Sequence, residues 1–223
     1  MSKKQIVTRY APSPTGYMHI GNLRTALYSF LLAKHDNGKF ILRIEDTDKN
    51  RQVEGAEQVI FDTLKVSKLY YDEGPDIGGE NPPYTQSERK DIYLKYAQQL
   101  IAEGKAYYCF CSKEDLEQAH AEQEFSGYNR HCRSLSPAQV KENLDNGKPY
   151  VIRHKVNLEG STTFIDHIFG EITVSNDTLQ DIVLIKADGY PTYNFAHVID
   201  DYLMGVTHVV RGNEYITSTP QYV

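Results

Sequence analysis

The fold is decided by residues 5–44, which read QIVTRYAPSPTGYMHIGNLRTALYSFLLAKHDNGKFILRI. Residues 5–10 and 40–44 are apolar runs typical of strands. Between them a helix is predicted to begin near Ile20 or Asn22 and to end at Gly38. Its inward face is predicted to carry Leu23, Ala26, Leu27, Phe30 and Leu31 at helical spacing. Strand, helix and strand in this order predict a βαβ unit with a parallel sheet and a right-handed crossover.

The pattern of predicted helices and strands changes twice in the rest of the chain. A helix is predicted at 53–66, and the Gly- and Pro-rich residues 72–84 predict a long loop. Helices at 87–103 and after Ser112 and Ser136, with short strands at 151–156, 162–166 and 171–174, are typical of an α+β insertion. A strand at 182–185, a helix around 195–203 and a strand at 207–211 then resume the α/β pattern.

This pattern predicts an α/β fold: a Rossmann-like parallel-sheet nucleotide-binding domain interrupted by the insertion. We expect the first half of that domain over 1–85, the insertion over 86–185 and the start of the second half over 186–223. Because Ser218-Thr-Pro220 is typical of a helix start, we also expect that the sequence is truncated within the second half.

Composition narrows the class of protein. The 223 residues carry 24 Lys and Arg against 30 Asp and Glu, a formal net charge of −6. A general nucleic-acid coat needs a basic surface, so a nucleic-acid partner would have to meet a local basic face. No apolar stretch approaches the roughly 18 to 20 residues of a membrane helix, and the N-terminus lacks the apolar centre of a secretory signal. We expect a cytoplasmic monomer with no membrane partner.

The segments PSPTG at 12–16 and HIGN at 19–22 lie where the first strand turns into the first helix. Backbone N–H groups and the positive end of the helix dipole favour phosphate there, and an imidazole can donate to phosphate oxygens. The alternative is a Pro-rich turn with a surface histidine, but the strand-turn-helix context favours the phosphate site. Neither Gly-x-Gly-x-x-Gly nor Gly-Lys-Ser/Thr occurs here, which excludes ordinary dinucleotide and P-loop sites.

Together with RIEDTD at 43–48, these segments resemble the amino-terminal half of bacterial glutamyl-tRNA synthetases, class I enzymes with a His-Ile-Gly-His-like signature. The resemblance continues through YDEGP at 71–75, YTQSER at 84–89, DGYPTY at 188–193, Arg211-Gly212 and STP at 218–220. It therefore covers essentially the whole chain. Glutaminyl-tRNA synthetases tend to carry Pro-Glu-Pro-Asn at 12–15, and the tRNA-queuosine glutamylating paralogue usually has Leu for Thr47 and Ser for Asn22, so both fit less well.

The resemblance implies a ligase that uses ATP and Mg²⁺ to convert L-glutamate into glutamyl-adenylate, which then esterifies the 3′ end of tRNA(Glu). His19, Gly21 and Asn22 match the catalytic and ATP-binding signature, and Glu214 matches a position that borders the adenosine. The family's Lys-rich second signature would lie beyond Val223, so we expect low or no activity from this chain alone. The rival interpretation is a non-catalytic module that keeps affinity for glutamate and the acceptor stem.

Glutamate has two carboxylates and one ammonium, so a selective pocket needs cations and an anion. Arg9, Arg43 and Arg211 are candidate cations and Glu45 is the candidate anion, although Arg43 could instead pair with Asp46 or Asp48. The resemblance implies that Arg9 and Arg211 with Tyr193 hold the side-chain carboxylate, that Glu45 takes the ammonium, and that Ala11, Ser13 and His197 complete the glutamate-binding set. His197 occupies a position where the family leads us to expect Asn or a small residue. Asn213 occupies a position where an acidic residue is expected.

The three cysteines are Cys109, Cys111 and Cys132. Their odd number and close spacing argue against a secreted disulfide framework. They resemble, with Tyr128, a zinc site that some family members carry in the insertion. A structural zinc takes four ligands, so Tyr128, His131 or His120 would have to complete the set. The alternative is three reduced thiols near a surface hairpin.

Basic and aromatic side chains in the insertion are candidates for holding the acceptor end of tRNA, since unpaired bases stack on aromatic rings. For the tyrosines, core packing is the alternative. The candidates are Tyr107, Tyr108, Arg130, Arg133, Arg153 and Lys155.

Overall fold

A computed structural model describes residues 5–122 and 128–223, except the side chains of His120 and Glu122. The chain divides into two compact units. The first comprises Met1–Lys90 and Ala196–Tyr215, and the second comprises Asp91–Phe195 and Ile216–Val223. The domain boundaries predicted after residues 85 and 185 remain a prediction. Within the described residues, no helix combines the length and the apolar character needed to span a membrane.

The helices and strands follow one another in chain order. The helices are α1 (Ile20–His35), α2 (Ala56–Val66), α3 (Lys90–Ala102), α4 (Lys113–Glu122), α5 (Pro137–Asp145) and α6 (Tyr193–Leu203). The strands are β1 (Val7–Tyr10), β2 (Lys39–Leu42), β3 (Ala106–Cys109), β4 (Val151–His154), β5 (Ser161–Asp166), β6 (Gly170–Ser175) and β7 (Val183–Ile185). Short 3₁₀ turns include Gln86–Arg89, His131–Ser134, Asn213–Tyr215 and Thr219–Gln221.

The first unit is built on the predicted βαβ element. Strands β1 and β2 are parallel, with Val7 opposite Lys39 and α1 as the crossover between them. Parallel bridges from Ile41 to Glu73 and from Ile44 to Thr85 extend the sheet. The Rossmann-like parallel arrangement predicted from the sequence is therefore confirmed.

Helix α1 buries part of its predicted inward face, since Leu23 and Phe30 pack against the core together with three small residues. Ala26, Ser29 and Ala33 are fully buried against the sheet, where the Thr8 hydroxyl donates to the Ser29 carbonyl at 2.8 Å. The prediction that Leu27 and Leu31 face inward is wrong, since they are exposed. Small side chains let the helix approach the sheet closely, and helical spacing alone does not distinguish that face from its neighbour.

The strand predicted at 207–211 does not form. Thr207 N donates to Val7 O at 2.9 Å, but the Thr207 hydroxyl, not a backbone carbonyl, accepts from Val7 N at 2.8 Å. A side chain thus replaces the second main-chain bond of a strand pair, and no ladder continues beyond it. The helix start expected at Ser218 is likewise only the short 3₁₀ turn Thr219–Gln221.

The second unit has the α+β character predicted for the insertion. Strands β3, β4 and β7 form an antiparallel sheet, while β5 and β6 form a separate hairpin. Both predicted serine caps are present: Asp115 N donates to the Ser112 hydroxyl, and Gln139 N donates to the Ser136 hydroxyl. The register places Tyr107 opposite Arg153 and Cys109 opposite Val151.

Candidate functional site

The loop between β1 and α1 is fixed to the strand ends around it. Glu45 N donates to Pro12 O and Val53 N donates to Pro14 O, both at 2.9 Å. Both prolines are buried, whereas Ser13 is exposed and Ala11 is half-buried. The loop therefore presents small side chains at the carboxyl end of β1, where open α/β sheets bind ligands.

His19 caps the N-terminus of α1. Its Nδ1 accepts a hydrogen bond from Gly21 N at 3.1 Å, and Asn22 Oδ1 accepts one from His19 N at 3.3 Å. Because Nδ1 is the acceptor, the neutral imidazole carries its proton on Nε2 and can donate it outward. The signature thus presents an imidazole donor beside the first N–H groups of an α-helix, a combination suited to an anion.

Gly21 leaves the space that the imidazole needs. A Cβ built at Gly21 would lie 2.8 Å from Cε1 and 3.0 Å from Nδ1 of His19. At Gly16, by contrast, an added Cβ would meet no atom within 4 Å. The glycine of the signature is therefore explained by the position of the histidine ring.

Four charged side chains alternate in sign: three lie at the ends of β1 and β2, and the fourth, Asp201, lies on α6. Arg9 Nε donates to both carboxylate oxygens of Asp201, at 3.0 and 3.3 Å. Arg43 Nη1 donates to Asp201 at 2.8 Å, and Arg43 Nη2 donates to Glu45 at 2.9 Å. The terminal nitrogens of Arg9 make no hydrogen bond within the described part of the chain, so its planar fork remains able to bind a carboxylate.

The pKa values of the two carboxylates in this series, Glu45 and Asp201, are shifted in opposite directions. Burial raises the pKa of Glu45, and the cations Arg43 and Arg9 offset only part of that effect. Burial acts in the same sense on Asp201, but there the charges of Arg9 and Arg43 prevail and hold its pKa well below the usual range. Asp201 therefore acts as the anion that fixes both arginines.

The expectation that Arg43 pairs with Asp46 or Asp48 is wrong. Asp46 instead accepts from Ser87 N at 2.7 Å, and Asp48 pairs with Arg51 at 2.5 Å. Arg43 is fully buried. A buried guanidinium needs nearby anions, and Glu45 and Asp201 supply them.

Sequence reasoning missed a second buried group behind this series. Arg89 Nε donates to Asp200 at 2.7 Å, and Gln86 Nε2 donates to Asp200 at 2.8 Å and to Glu45 at 3.4 Å. The available signal was a pair of adjacent aspartates inside the apolar helix α6. Two carboxylates on a helix that packs into a core indicate buried cations opposite them.

His197 holds Arg211. Arg211 Nη2 lies 3.1 Å from His197 Nδ1, and the imidazole is only 2% exposed. Burial, and secondarily the charge of Arg211, lowers the pKa of His197 to about 2. The ring is therefore neutral and accepts from the guanidinium. Arg9, Arg43 and Asp201 also act on its titration, which places His197 beside the charged series.

Two further predicted residues are Glu214 and Tyr193. Glu214 is exposed in the 3₁₀ turn after Arg211, and a Cβ at Gly212 would overlap its carboxylate. Tyr193, the first residue of α6, is half-buried and belongs to the second unit. Their roles toward adenosine and glutamate stay predictions.

In the second unit the three cysteine sulfurs lie within 4.8 Å of one another. The sulfurs of Cys111 and Cys132 are 3.5 Å apart, and the Tyr128 hydroxyl lies 3.2 Å from Cys109 Sγ and 3.7 Å from Cys111 Sγ. Tetrahedral zinc at about 2.3 Å from each sulfur needs sulfurs about 3.8 Å apart, so the donor set fits zinc.

Tyr128, rather than His131, is the neighbour that could complete the cysteine set. Its hydroxyl also accepts from Cys132 N at 3.0 Å, whereas His131 is exposed and joins no metal-ligating group within the described residues. The side chain of His120 lies outside the description. Hydrogen bonds from Cys132 and Tyr128 lower the pKa of Cys109 to about 4, which favours its thiolate, whereas burial raises the pKa of Cys111 and the hydrogen bond with Cys109 raises that of Cys132.

Most residues proposed for the acceptor end have other partners. The buried carboxylate of Asp181 accepts from Tyr107 at 2.8 Å and from Arg133 at 3.0 Å, and lies 3.8 Å from Arg130. Arg153 donates to the Asp181 carbonyl at 2.9 Å. These four side chains therefore help to build the second unit, and their contact with tRNA stays a prediction.

A different surface of the second unit combines cations and an aromatic ring. A cleft of about 270 Å³ is lined by Lys148, Tyr150 and Lys186 among others. The rings of Tyr108 and Tyr150 meet edge to face, with centroids 4.9 Å apart. Tyr150 is partly exposed, so this surface offers both positive charge and a ring for stacking.

Comparison with known proteins agrees with this geometry. Residues 5–223 match the family model described as tRNA synthetases class I (E and Q), catalytic domain. The chain is similar to the glutamate–tRNA ligases of Clostridium novyi, at 61% identity over 222 residues, and Clostridium tetani, at 59% over 226 residues. Both matches take in 100% of this chain but 46% of the relative, so the chain spans about half the length of these relatives.

Solved structures give the same result. A glutamate tRNA ligase from Elizabethkingia meningosepticum, crystallised in complex with its amino acid, is similar at a TM-score of 0.93 and 44% identity. The glutamate-tRNA synthetase of Elizabethkingia anophelis gives the same two values. The first match covers 99% of this chain and 46% of that structure.

Proposed function

Because the chain belongs to the class I tRNA synthetases of the glutamate and glutamine group, catalytic domain, we propose that it contributes the glutamate- and ATP-binding part of a glutamate–tRNA ligase. The ligase would join glutamate to ATP as glutamyl-adenylate, release pyrophosphate, and transfer the glutamyl group to the 3′ end of tRNA(Glu). A cytoplasmic location and a monomeric state are part of the same proposal.

The observation that carries the proposal is the arrangement of charges in the first unit. Arg9 is held through Nε by Asp201, and Arg211 lies against the neutral ring of His197. Glu45 supplies a buried carboxylate close to both the Arg9 and Arg43 cations. Two cations held by side chains and one carboxylate match the two carboxylates and the ammonium of glutamate, whereas glutamine offers one carboxylate fewer.

The first chemical step needs positioning rather than a protein nucleophile. The substrate α-carboxylate attacks the α-phosphorus of ATP, and pyrophosphate leaves. His19 would donate from Nε2 to a phosphate oxygen, next to the N–H group of Ile20, while the Gly21 N–H and Asn22 keep the cap in place. Mg²⁺ would enter with ATP and offset phosphate charge.

Calorimetry with glutamate and glutamine tests the binding half of the proposal. Arg211→Ala should weaken glutamate binding by about 30-fold to 4,000-fold, since loss of one partner of a buried charge pair costs about 2 to 5 kcal/mol. Arg51→Ala, which removes an exposed arginine paired with Asp48, is the matched control and should bind glutamate normally. Equal affinity of the Arg211→Ala and parent proteins would refute the assignment.

Turnover separates a ligase from a binding module. Glutamate-dependent exchange of pyrophosphate into ATP, measured on the full product of the reading frame, should be present and should fall on Arg9→Ala substitution. Binding of glutamate without any exchange in that product would support the non-catalytic alternative.

We further propose that the acceptor end of tRNA contacts the cleft lined by Lys148, Tyr150 and Lys186 in the second unit. Its support is the combination of lysines and an accessible ring. Lys148→Glu should weaken tRNA binding and reduce its salt dependence, because one phosphate contact fewer is made. Lys141→Glu, on the exposed surface of α5, is the control. Equal effects of the two variants would argue against the cleft.

We also propose that Cys109, Cys111, Cys132 and Tyr128 hold a structural Zn²⁺. The ion would link β3 to the 3₁₀ turn His131–Ser134. The support for this proposal is a set of three soft sulfur ligands with one hydroxyl beside them. Elemental analysis of protein purified without chelators should find about one zinc per chain, lost in Cys132→Ser but kept in Ser134→Ala. No zinc in the parent protein would mean three ordinary thiols.

A further inference from the structure

Arg153 lies directly over the ring of Tyr128, next to the cysteine cluster. Its guanidinium carbon is 3.8 Å from the ring centroid, and the residue is 8% exposed. Its Nη1 donates to the Asp181 carbonyl, but its Nε is buried and has no hydrogen-bond partner within the described residues. A buried cation with an unsatisfied nitrogen is costly, so its position calls for a compensating interaction.

The compensation lies in the charge of the cluster. Three thiolates around one Zn²⁺ leave a net charge of about −1, and the cluster is surrounded by apolar groups such as Leu116, Leu135 and Val151. Removing a net anion from water into such surroundings is unfavourable unless a cation lies near it. A guanidinium stacked on the ring of the fourth ligand supplies that cation without entering the coordination sphere.

We propose that Arg153 is a positioning residue of the cysteine cluster: it holds the Tyr128 ring so that its hydroxyl meets the sulfurs, and it offsets the negative charge of the loaded site. This inference rests on the zinc proposal above. It assigns to Arg153 a role different from the tRNA contact expected from the sequence.

The surrounding sheet keeps Arg153 in this orientation. Arg153 is paired across the sheet with Tyr107 of β3, whose hydroxyl donates to Asp181, and with Val183 of β7. The Asp181 carboxylate accepts from Arg133, while its carbonyl accepts from Arg153. Arg133 therefore shares the same acidic residue and provides a matched control.

The test measures zinc affinity by competition with a chromogenic chelator, beside urea unfolding of the same proteins. Arg153→Met, which keeps the length but removes the charge, should weaken zinc binding by about 10- to 100-fold, as loss of outer-sphere partners of metal ligands does. Arg133→Met should lower the urea midpoint by removing a partner of Asp181, yet keep the parent zinc affinity. Arg153→Lys keeps the charge but not the planar stack and should give an intermediate affinity.

Cobalt provides a second readout that does not depend on stability. The thiolate-to-cobalt absorption of the Co²⁺-loaded protein should shift in Arg153→Met and stay unchanged in Arg133→Met. Parent zinc affinity in both Arg153 variants, or equal losses in Arg153→Met and Arg133→Met, would overturn the role of Arg153 while leaving the zinc site intact. A parent protein that binds no zinc would overturn the zinc proposal and this inference together.

Discussion

Replacing His197 by Asn should remove much of the acid sensitivity of folding. The imidazole is buried beside Arg211, and burial together with that charge lowers its pKa from 6.5 to about 2. An unfolded chain binds a proton on this ring below pH 6.5, whereas the folded chain does not. His197 therefore leaves stability intact above pH 6.5 and reduces it progressively as the pH falls toward 2.

The size of the effect follows from the two pKa values. Each pH unit between them changes the free energy of unfolding by about 1.4 kcal/mol, so moving from pH 7.5 to pH 5.0 should cost about 2 kcal/mol through this residue alone. Burial also lowers the pKa of His154, which will leave some acid sensitivity in the variant. Asn retains a carbonyl oxygen that can accept from Arg211.

Urea unfolding at pH 7.5 and 5.0 is the assay, and the difference between the two pH values is the quantity compared. That difference should be smaller by about 2 kcal/mol in His197→Asn than in the parent protein. His35→Asn, at an exposed position near the end of α1, is the control and should keep the parent difference. If His197→Asn and the parent protein lose the same free energy on acidification, the imidazole is not buried in its neutral form and the reasoning fails.

Three further substitutions test specific contacts. Gly21→Ala should press on the capping imidazole, whose Cε1 would lie 2.8 Å from the new Cβ, and weaken ATP binding by about 2- to 12-fold in calorimetry, whereas Gly16→Ala should not. Gly79 has φ +155°, and a Cβ there would overlap a buried tyrosine hydroxyl, so Gly79→Ala should lower the free energy of unfolding in urea by about 2 to 4 kcal/mol. The control Gly78→Ala, whose Cβ would meet no neighbour, should lower it by about 1 to 2 kcal/mol. Equal losses in the two variants would contradict this reasoning. Asp201→Asn should cost about 3 to 5 kcal/mol by leaving two buried arginines opposite a neutral amide, and a loss below about 1 kcal/mol would show that they do not depend on it.

Local patterns in the sequence predicted most elements, except the strand at 207–211 and the helix at Ser218, but they did not predict which side of α1 is buried. The βαβ order, the serine caps at Ser112 and Ser136 and the α+β texture of the middle all follow from spacing and capping chemistry. The inward face of α1 does not follow from spacing, because Ala26 and Ser29 lie next to Leu27 on the helix. Only the packing of α1 against the sheet determines which of them are buried. Tertiary packing therefore overrides hydrophobic periodicity there.

Residues of the candidate site were predictable where they belong to a contiguous sequence motif. They were not predictable where their partners lie far away in the sequence. The segment at 19–22 indicated a capped helix start, and Arg9, Glu45 and Arg211 were singled out as charged strand-end residues. Asp201 was missed, since its carboxylate binds Arg9 and Arg43 from far along the chain. Spacing alone likewise left Tyr128, His131 and His120 as alternatives for a fourth ligand, and only the coordinates show the Tyr128 hydroxyl 3.2 Å from Cys109 Sγ.

The composition of the first unit from two segments bears on how the chain folds during its synthesis. Arg43 and Asp201 are 158 residues apart, and Val7 bonds to a threonine 200 residues later. At about 5 to 20 residues per second, a ribosome needs roughly 8 to 30 s between translating Arg43 and Asp201. Over that interval the nascent βαβ element carries Arg9 and Arg43 without their shared anion, while Asp91–Phe195 is synthesised in full. The first unit is thus completed only after most of the second has been synthesised, and termination before residue 201 would leave Arg9 and Arg43 without the anion that they share.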